Sequence, residues 1–192
     1  LDYHKSMKTY LNAKLILFSK LIPQKKYMIT DKYIKQFSIL KKIAKRRKLK
    51  LLDITKQKNA LKNLPDSISN SFQKKNLSMA ILAARLCGLN NIKINKALKK
   101  IKNVTGRLEL VKKYSNNIRV FIDYAHTPDA LHEVLKSLRG TYENNISLVF
   151  GCGGERDIKK RPLMANIAKS FCKKIYVTDD NPRKENPAKI RG

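Results

Sequence analysis

The sequence predicts an α/β protein, and three observations carry that prediction. The second half alternates β-rich apolar runs with helical segments in the order β-α-β-α-β-α. The helical segments are long enough to cross between neighbouring strands, so parallel β-α-β units are expected there, in a Rossmann-like arrangement. The first half places a basic helix between two short strand candidates, "YMIT" and "LKLLDI".

Each element has its own local signal. Residues 5–22 carry Met7, Tyr10, Leu11, Leu15, Phe18 and Leu21 at i, i+3, i+4 spacing, which predicts an amphipathic helix. The basic helix has Ile34, Phe37, Leu40, Ile43 and Ala44 on one face. Residues 55–75 are polar, with "NLPDSISNS" as a loop signal. "NLSMAILAARLCGL" predicts an apolar helix ending near Gly88, and "KINKALKKI" a shorter one. After Val104 the style changes, so two domains are expected, 1–104 and 105–192. "IRVFIDYA", "NISLVFGC" and "KKIYVTD" predict strands. The helix after the first strand opens with Thr127 as N-cap, Pro128 at the first helical position and Asp129 in the first turn. Pro162 lies near the start of the second helix, and "NPAKI" opens a third.

Composition narrows the class. The chain has 192 residues and a formal charge of +29, from 43 Lys and Arg against 14 Asp and Glu. Such a charge favours loose, salt-sensitive attraction to polyanions. The lysines are scattered, and no aromatic–basic interleaving offers a base-stacking platform, so no specific nucleic acid partner is expected. No run of 18 apolar residues predicts a membrane span. The three cysteines form no C-x-x-C pair and read as reduced packing residues, which suits a cytoplasmic protein. The start at Leu1 and the helix just opening at the end read as a fragment of a longer chain.

Chemistry gathers at the strand ends. In open parallel sheets, ligands bind beyond the carboxyl ends of the strands. The first strand of the second half ends in Asp123-Tyr124-Ala125-His126. The second ends in "GCGGERD", where glycines permit close backbone approach and Arg156 can meet an anion. The third ends in "TDDNPR", where Arg183 follows the rigid Pro182 and can clamp a carboxylate. Three such ends on one rim point to a ligand cleft. The alternative is turns and caps alone, with Asp180-Asn181-Pro182 as an Asx-type turn. His126 and Arg156 can stabilise negative charge, and Asp123 can accept from ribose hydroxyls. No Cys or His spacing suits a metal, and no G-x-x-x-x-G-K-[ST] loop is present.

These motifs carry a resemblance. "GRLE", "DYAHTPDAL", "FGCGGERD", "KRPLM" and "TDDNPR" occur in this order in the Mur ligases. "LDYHKSMKTYLNAKLILF" resembles the central domain of the same family. The chain is most similar to the branch that adds meso-diaminopimelate to UDP-N-acetylmuramoyl-L-alanyl-D-glutamate, a UDP-N-acetylmuramoyl-dipeptide. The resemblance implies an ATP-dependent amide ligase of peptidoglycan precursor synthesis, working with Mg2+ through an acyl phosphate. It implies the back of a central ATP-binding domain over 1–104 and most of an amino-acid-binding domain over 105–192, acting as a monomer. Lys14 matches a carbamylated lysine that would serve magnesium. Asn76, Arg107, Asp123 and His126 match ATP-contacting positions. Arg156, Asp180, Asn181 and Arg183 match the diaminopimelate pocket, and Arg161 is a weaker match. The UDP-sugar domain and the nucleotide loop have no counterpart here, so the 192 residues alone are expected to be without turnover. "YMITDKY" stands where the family has Asn-x-Asp-Asp. The rival readings are a related ligase for lysine or folate-linked glutamate, and a basic nucleic-acid-binding module.

Overall fold

A computed structural model describes residue 4 and residues 6–56, 71–142 and 145–192. The chain divides into two compact units, Tyr3–Lys102 and Asn103–Gly192. The core of the polar segment predicted as a loop, residues 57–70, lies outside the described residues.

The amino-terminal unit opens with α1 (Met7–Ile16), which continues as a π-helical turn over Leu17–Leu21. A capping box starts the helix: Ser6 Oγ accepts from Thr9 N at 3.2 Å, and Ser6 N donates to Thr9 Oγ1 at 3.1 Å. β1 (Tyr27–Thr30), α2 (Phe37–Arg46) and β2 (Lys50–Asp53) form a β-α-β unit whose strands pair parallel, Met28 beside Leu51 and Thr30 beside Asp53. Met28, Leu40, Ala44 and Leu49 make the core, with Leu15, Phe18, Ile22 and Leu51 packed on it. The predicted apolar stripe of the first helix is therefore only partly buried. Leu15 and Phe18 reach the core, while Met7 and Leu21 are exposed. The wider π turn rotates the chain out of the 3.6-residue register, which takes Leu21 off the stripe. α3 (Ser71–Leu86) and α4 (Asn91–Leu98) join through Ile81, Ile94 and Leu98. Gly88, with φ of +88°, turns the chain between them.

The carboxyl-terminal unit begins with an antiparallel hairpin, β3 (Glu109–Lys113) and β4 (Arg119–Ile122). Then follow α5 (Pro128–Tyr142), β5 (Ser147–Phe150), α6 (Lys160–Phe171), β6 (Lys174–Val177) and the short α7 (Pro187–Arg191). β5 and β6 pair parallel with Phe150 beside Val177, so β5-α6-β6 is the expected β-α-β unit. The strand at 119–122 behaves differently from its expected place in one parallel sheet. Its ladder among the described residues is with β3, which the sequence reading passed over. The physical reason is local. The Asn116-Asn117 turn folds the chain straight back, Tyr114 N donates to Ile118 O at 2.9 Å, and Asn117 takes the left-handed φ of 63°. Leu131, Leu135, Cys152 and Met164 form the core, with Leu148, Phe150, Ile167 and Phe171 around them. Burial pushes the Cys152 thiol up, as suits a packing cysteine, whereas Cys87 is exposed.

Candidate functional site

The carboxyl ends of β5 and β6 meet in one junction of two loops. β5 runs into Gly151-Cys152-Gly153-Gly154, and β6 into Thr178-Asp179-Asp180-Asn181-Pro182-Arg183. Gly154 N donates to Asn181 O at 2.9 Å. A Cβ on Gly154 would lie 1.9 Å from Pro182 O, and one on Gly151 would lie 2.6 Å from Thr178 O. The glycines do permit close backbone approach, and the backbone that approaches is that of the neighbouring strand end.

That junction fixes Arg183. Its backbone is left-handed, with φ of 49°, and its amide donates to Asn181 Oδ1 at 3.2 Å. Its Nη1 donates to Gly154 O at 2.6 Å. A guanidinium has five N–H donors in a fixed fork, so this anchor orients the group and leaves further donors for a ligand. Asn181 N donates to Asp180 Oδ1 at 2.7 Å, and the bond from the Arg183 amide to Asn181 Oδ1 makes an Asx-type turn over Asn181-Pro182-Arg183, one residue later than the alternative reading placed it. Arg156 follows Glu155, which is left-handed at φ of 51°. Arg161, at the start of α6, reaches across to Glu185 rather than only opening its helix. Arg191 pairs with Asp179, the first acid of the loop.

The end of β4 adds a second cluster. Both Asp123 oxygens are engaged by backbone amides: Leu108 N donates to Oδ2 at 2.7 Å and Ala125 N to Oδ1 at 2.8 Å. Asp123 thus pins the segment before β3 to the end of β4, and each oxygen keeps lone pairs for another donor. Leu108 is left-handed at φ of 48°, and Glu109 Oε2 accepts from Gly106 N at 2.7 Å, so the "GRLE" segment is a shaped turn. The Arg107 guanidinium lies 4.9 Å from the centre of the Tyr124 ring, and His126 meets the same ring edge-on at 5.0 Å. His126 Nδ1 lies 3.0 Å from Tyr124 O. Although β4 is outside the β5–β6 ladder, Lys160 Nζ donates to His126 O at 2.8 Å, so α6 ties its end to the same unit.

In the amino-terminal unit, Lys14 is exposed on α1, with its ammonium 4.7 Å from the Tyr10 ring centre. His4 meets that ring edge-on at 5.4 Å. Asn76 is exposed in the second turn of α3, which places it too far into the helix for an N-cap. Among the described residues, no three of His, Cys, Asp and Glu cluster as metal ligands. Magnesium requires near-octahedral oxygen coordination, and Lys14 offers an oxygen ligand only as a carbamate. The described residues therefore do not complete a magnesium site by themselves.

Residues 106–192 match the family described as Mur ligase, glutamate ligase domain. This region belongs to the Mur ligases. Curated proteins named UDP-N-acetylmuramoyl-L-alanyl-D-glutamate--2,6-diaminopimelate ligase resemble the whole chain. The one from Rickettsia bellii is 37% identical, with 100% of this chain and 44% of that protein covered. The one from Rickettsia typhi is 34% identical, with 100% and 43% covered. The chain thus spans less than half the length of these relatives. A solved structure of a protein with the same name is 28% identical, with a TM-score of 0.53 over 98% of this chain and 43% of that one. A folylpolyglutamate synthase from Thermotoga maritima shares the fold at 20% identity and a TM-score of 0.54, covering 84% and 49%.

In the amino-terminal unit, outside the matched region, two polar residues escaped the sequence reading. Asp31 and Asp53 stand at the carboxyl ends of β1 and β2, 2% and 9% exposed. Asp31 Oδ2 pairs with Lys75 Nζ at 2.8 Å, and its Oδ1 accepts from Tyr33 N at 2.9 Å. Asp53 Oδ1 accepts from Thr55 N at 3.0 Å and Lys32 N at 3.2 Å, and its Oδ2 from Thr55 Oγ1 at 2.8 Å. Desolvation raises both carboxyls, but these donors outweigh it and hold both below the usual aspartate value. The available signal was an acid directly at the end of each strand of a β-α-β unit.

Proposed function

We propose that this chain is part of an ATP-dependent ligase that adds meso-diaminopimelate to UDP-N-acetylmuramoyl-L-alanyl-D-glutamate. ATP would phosphorylate the D-Glu side-chain carboxylate, and the diaminopimelate amine would displace phosphate from the acyl phosphate. The observation that carries the reading is the anchored Arg183 guanidinium, held by Gly154 O at the Asn181-Pro182-Arg183 turn. Diaminopimelate differs from lysine by one extra carboxylate at its far end. A fixed guanidinium meets that carboxylate bidentately and stays unpaired when lysine binds. Arg156 serves the same ligand from the facing loop, and Asp180 and Asn181 meet its amino-acid head.

Arg107, His126, Asp123 and Asn76 are assigned to ATP. The stacked Arg107 and the partly engaged Asp123 suit phosphate and ribose respectively. Magnesium enters with ATP, and Lys14, as a carbamate, is its one candidate ligand in the described chain. On this reading the two units are the back of the ATP-binding domain and most of the amino-acid-binding domain of a cytoplasmic, monomeric enzyme.

The test is phosphate release by a full-length protein that contains this chain. Release is expected only when UDP-muramoyl dipeptide, ATP and diaminopimelate are all supplied. Equal release with lysine would refute the role of Arg183. Arg183→Ala is expected to raise the KM for diaminopimelate by about a hundredfold, the loss of a charge-assisted pair, with little change for ATP.

A further inference from the structure

One ion pair of the carboxyl-terminal unit has no part in the reading above. Glu185 stands two residues beyond Arg183. Its carboxylate accepts from Arg161 Nη2 at 3.0 and 2.9 Å, and also from the amide of Glu155. Its own amide donates to Pro182 O at 3.0 Å. One residue therefore grips both loops: the one that carries Arg156 and the one that carries Arg183.

The backbone explains why a grip is needed. Each loop contains a non-glycine residue in the left-handed region, Glu155 at φ of 51° and Arg183 at φ of 49°. Such conformations cost free energy and persist only where the surroundings over-determine them. Glu185 touches the backbone at both places, directly at Glu155 and one residue before Arg183 at Pro182. The pair is also sheltered, with the Arg161 side chain 13% exposed and that of Glu185 28%. A surface pair of mobile side chains contributes little, whereas a sheltered pair with a backbone donor restricts geometry.

We infer that Glu185 and Arg161 are positioning residues that fix the spacing of the Arg156 and Arg183 loops, and thereby the selectivity for a long amino acid with a carboxylate at each end. This inference rests on the reading of that junction as the diaminopimelate pocket. The chemistry is geometric. Two guanidiniums at a set separation favour a ligand with two carboxylates at one spacing, and loosening the separation lets shorter amino acids, or ones with a single carboxylate, compete. Neither Glu185 nor Arg161 need touch the substrate.

The experiment varies each substrate in steady-state kinetics of a full-length protein containing this chain. Glu185→Gln keeps an acceptor for the Glu155 amide and removes the charge. Glu185→Asp keeps the charge and shortens the arm. Both are expected to raise the KM for diaminopimelate about tenfold, to leave that for ATP within about twofold, and to narrow the preference for diaminopimelate over lysine. The reversed pair, Arg161→Glu with Glu185→Arg, is expected to recover part of the loss. Parallel rises for both substrates together with a lowered Tm would overturn the inference, because they would mark a merely structural pair. Should the Glu185 variants fail to fold, Arg161→Lys supplies the same comparison with the charge retained. Arg183→Ala separates the two levels. If it raises the KM for diaminopimelate while the Glu185 and Arg161 variants do not, the inference alone fails. If Arg183→Ala leaves that KM unchanged, the reading of the pocket fails and the inference with it.

Discussion

Both units carry a parallel strand pair that ends in acids, and the two ends are built in opposite ways. In the amino-terminal unit, Asp31 and Asp53 are buried, and each of their carboxylate oxygens accepts from a donor of their own chain. In the carboxyl-terminal unit, the acids of "TDDNPR" are exposed, and the close contact is made by glycine backbone instead. The first arrangement closes a β-α-β unit. The second presents Arg183 on a shaped loop. A polar strand end is thus a candidate site only after its donors and acceptors have been counted.

The contrast can be broken most severely at Gly154. Gly154→Ala pushes a methyl group into Pro182 O and is expected to destabilise the carboxyl-terminal unit by about 3 kcal/mol, read from chemical denaturation. Gly140→Ala is the control. It lies in α5 with nothing within 4 Å of the new methyl group, and should stabilise by about 0.5–1 kcal/mol. Next in size is Asp53→Ala, which strands the amides of Lys32 and Thr55 and should cost roughly 2 kcal/mol. Hydrogen exchange at those two amides would report it directly; unchanged protection would show that the acid is not their main partner. Lys75→Met removes a half-exposed cation from a buried carboxylate and should cost about 1 kcal/mol in the amino-terminal unit alone.

The smallest effect is expected on acidification, which tests both strand ends at once. The backbone amide of Glu155, and then Arg161, hold Glu185 below its ordinary value of 4.5. Asp31 and Asp53 are held below 3.8. A depressed folded value means that the stabilisation is present above the unfolded value and is lost as pH falls through the folded one. The grip on the two loops and the donor sets at the two buried strand ends should therefore all persist through the ordinary carboxylate range and be lost only at more acid pH. Chemical shifts of the Glu155 and Lys32 amides, followed from pH 6 to 2, would show this; a midpoint at or above 4.5 for the first, or at or above 3.8 for the second, would contradict it.

Much of this was legible in the sequence because its signals are local. The Thr127 cap is present as predicted, with Oγ1 accepting from Ala130 N at 3.3 Å, and α2 buries Leu40, Ile43 and Ala44 of its predicted stripe, whereas Ile34 lies before the helix and is exposed. β3 was passed over because Lys112 and Lys113 dilute its apolar pattern, and only the partner strand gives it a ladder. Asp31 and Asp53 were passed over because burial is not a local property. Their neighbours in sequence are ordinary, and the donor that matters for Asp31, Lys75, is far along the chain.

The sequence by itself determined where the helices and all strands but β3 lie, which motifs close the strands, and the family resemblance those motifs carry. Periodicity, caps and turn residues act over a few positions, so they can be read in order. Only the tertiary structure decided which strand pairs with which, which acids are already occupied, and that Glu185 grips two loops at once. Those outcomes depend on groups brought together from distant positions, where hydrogen-bonding capacity spent on one partner is no longer available to another.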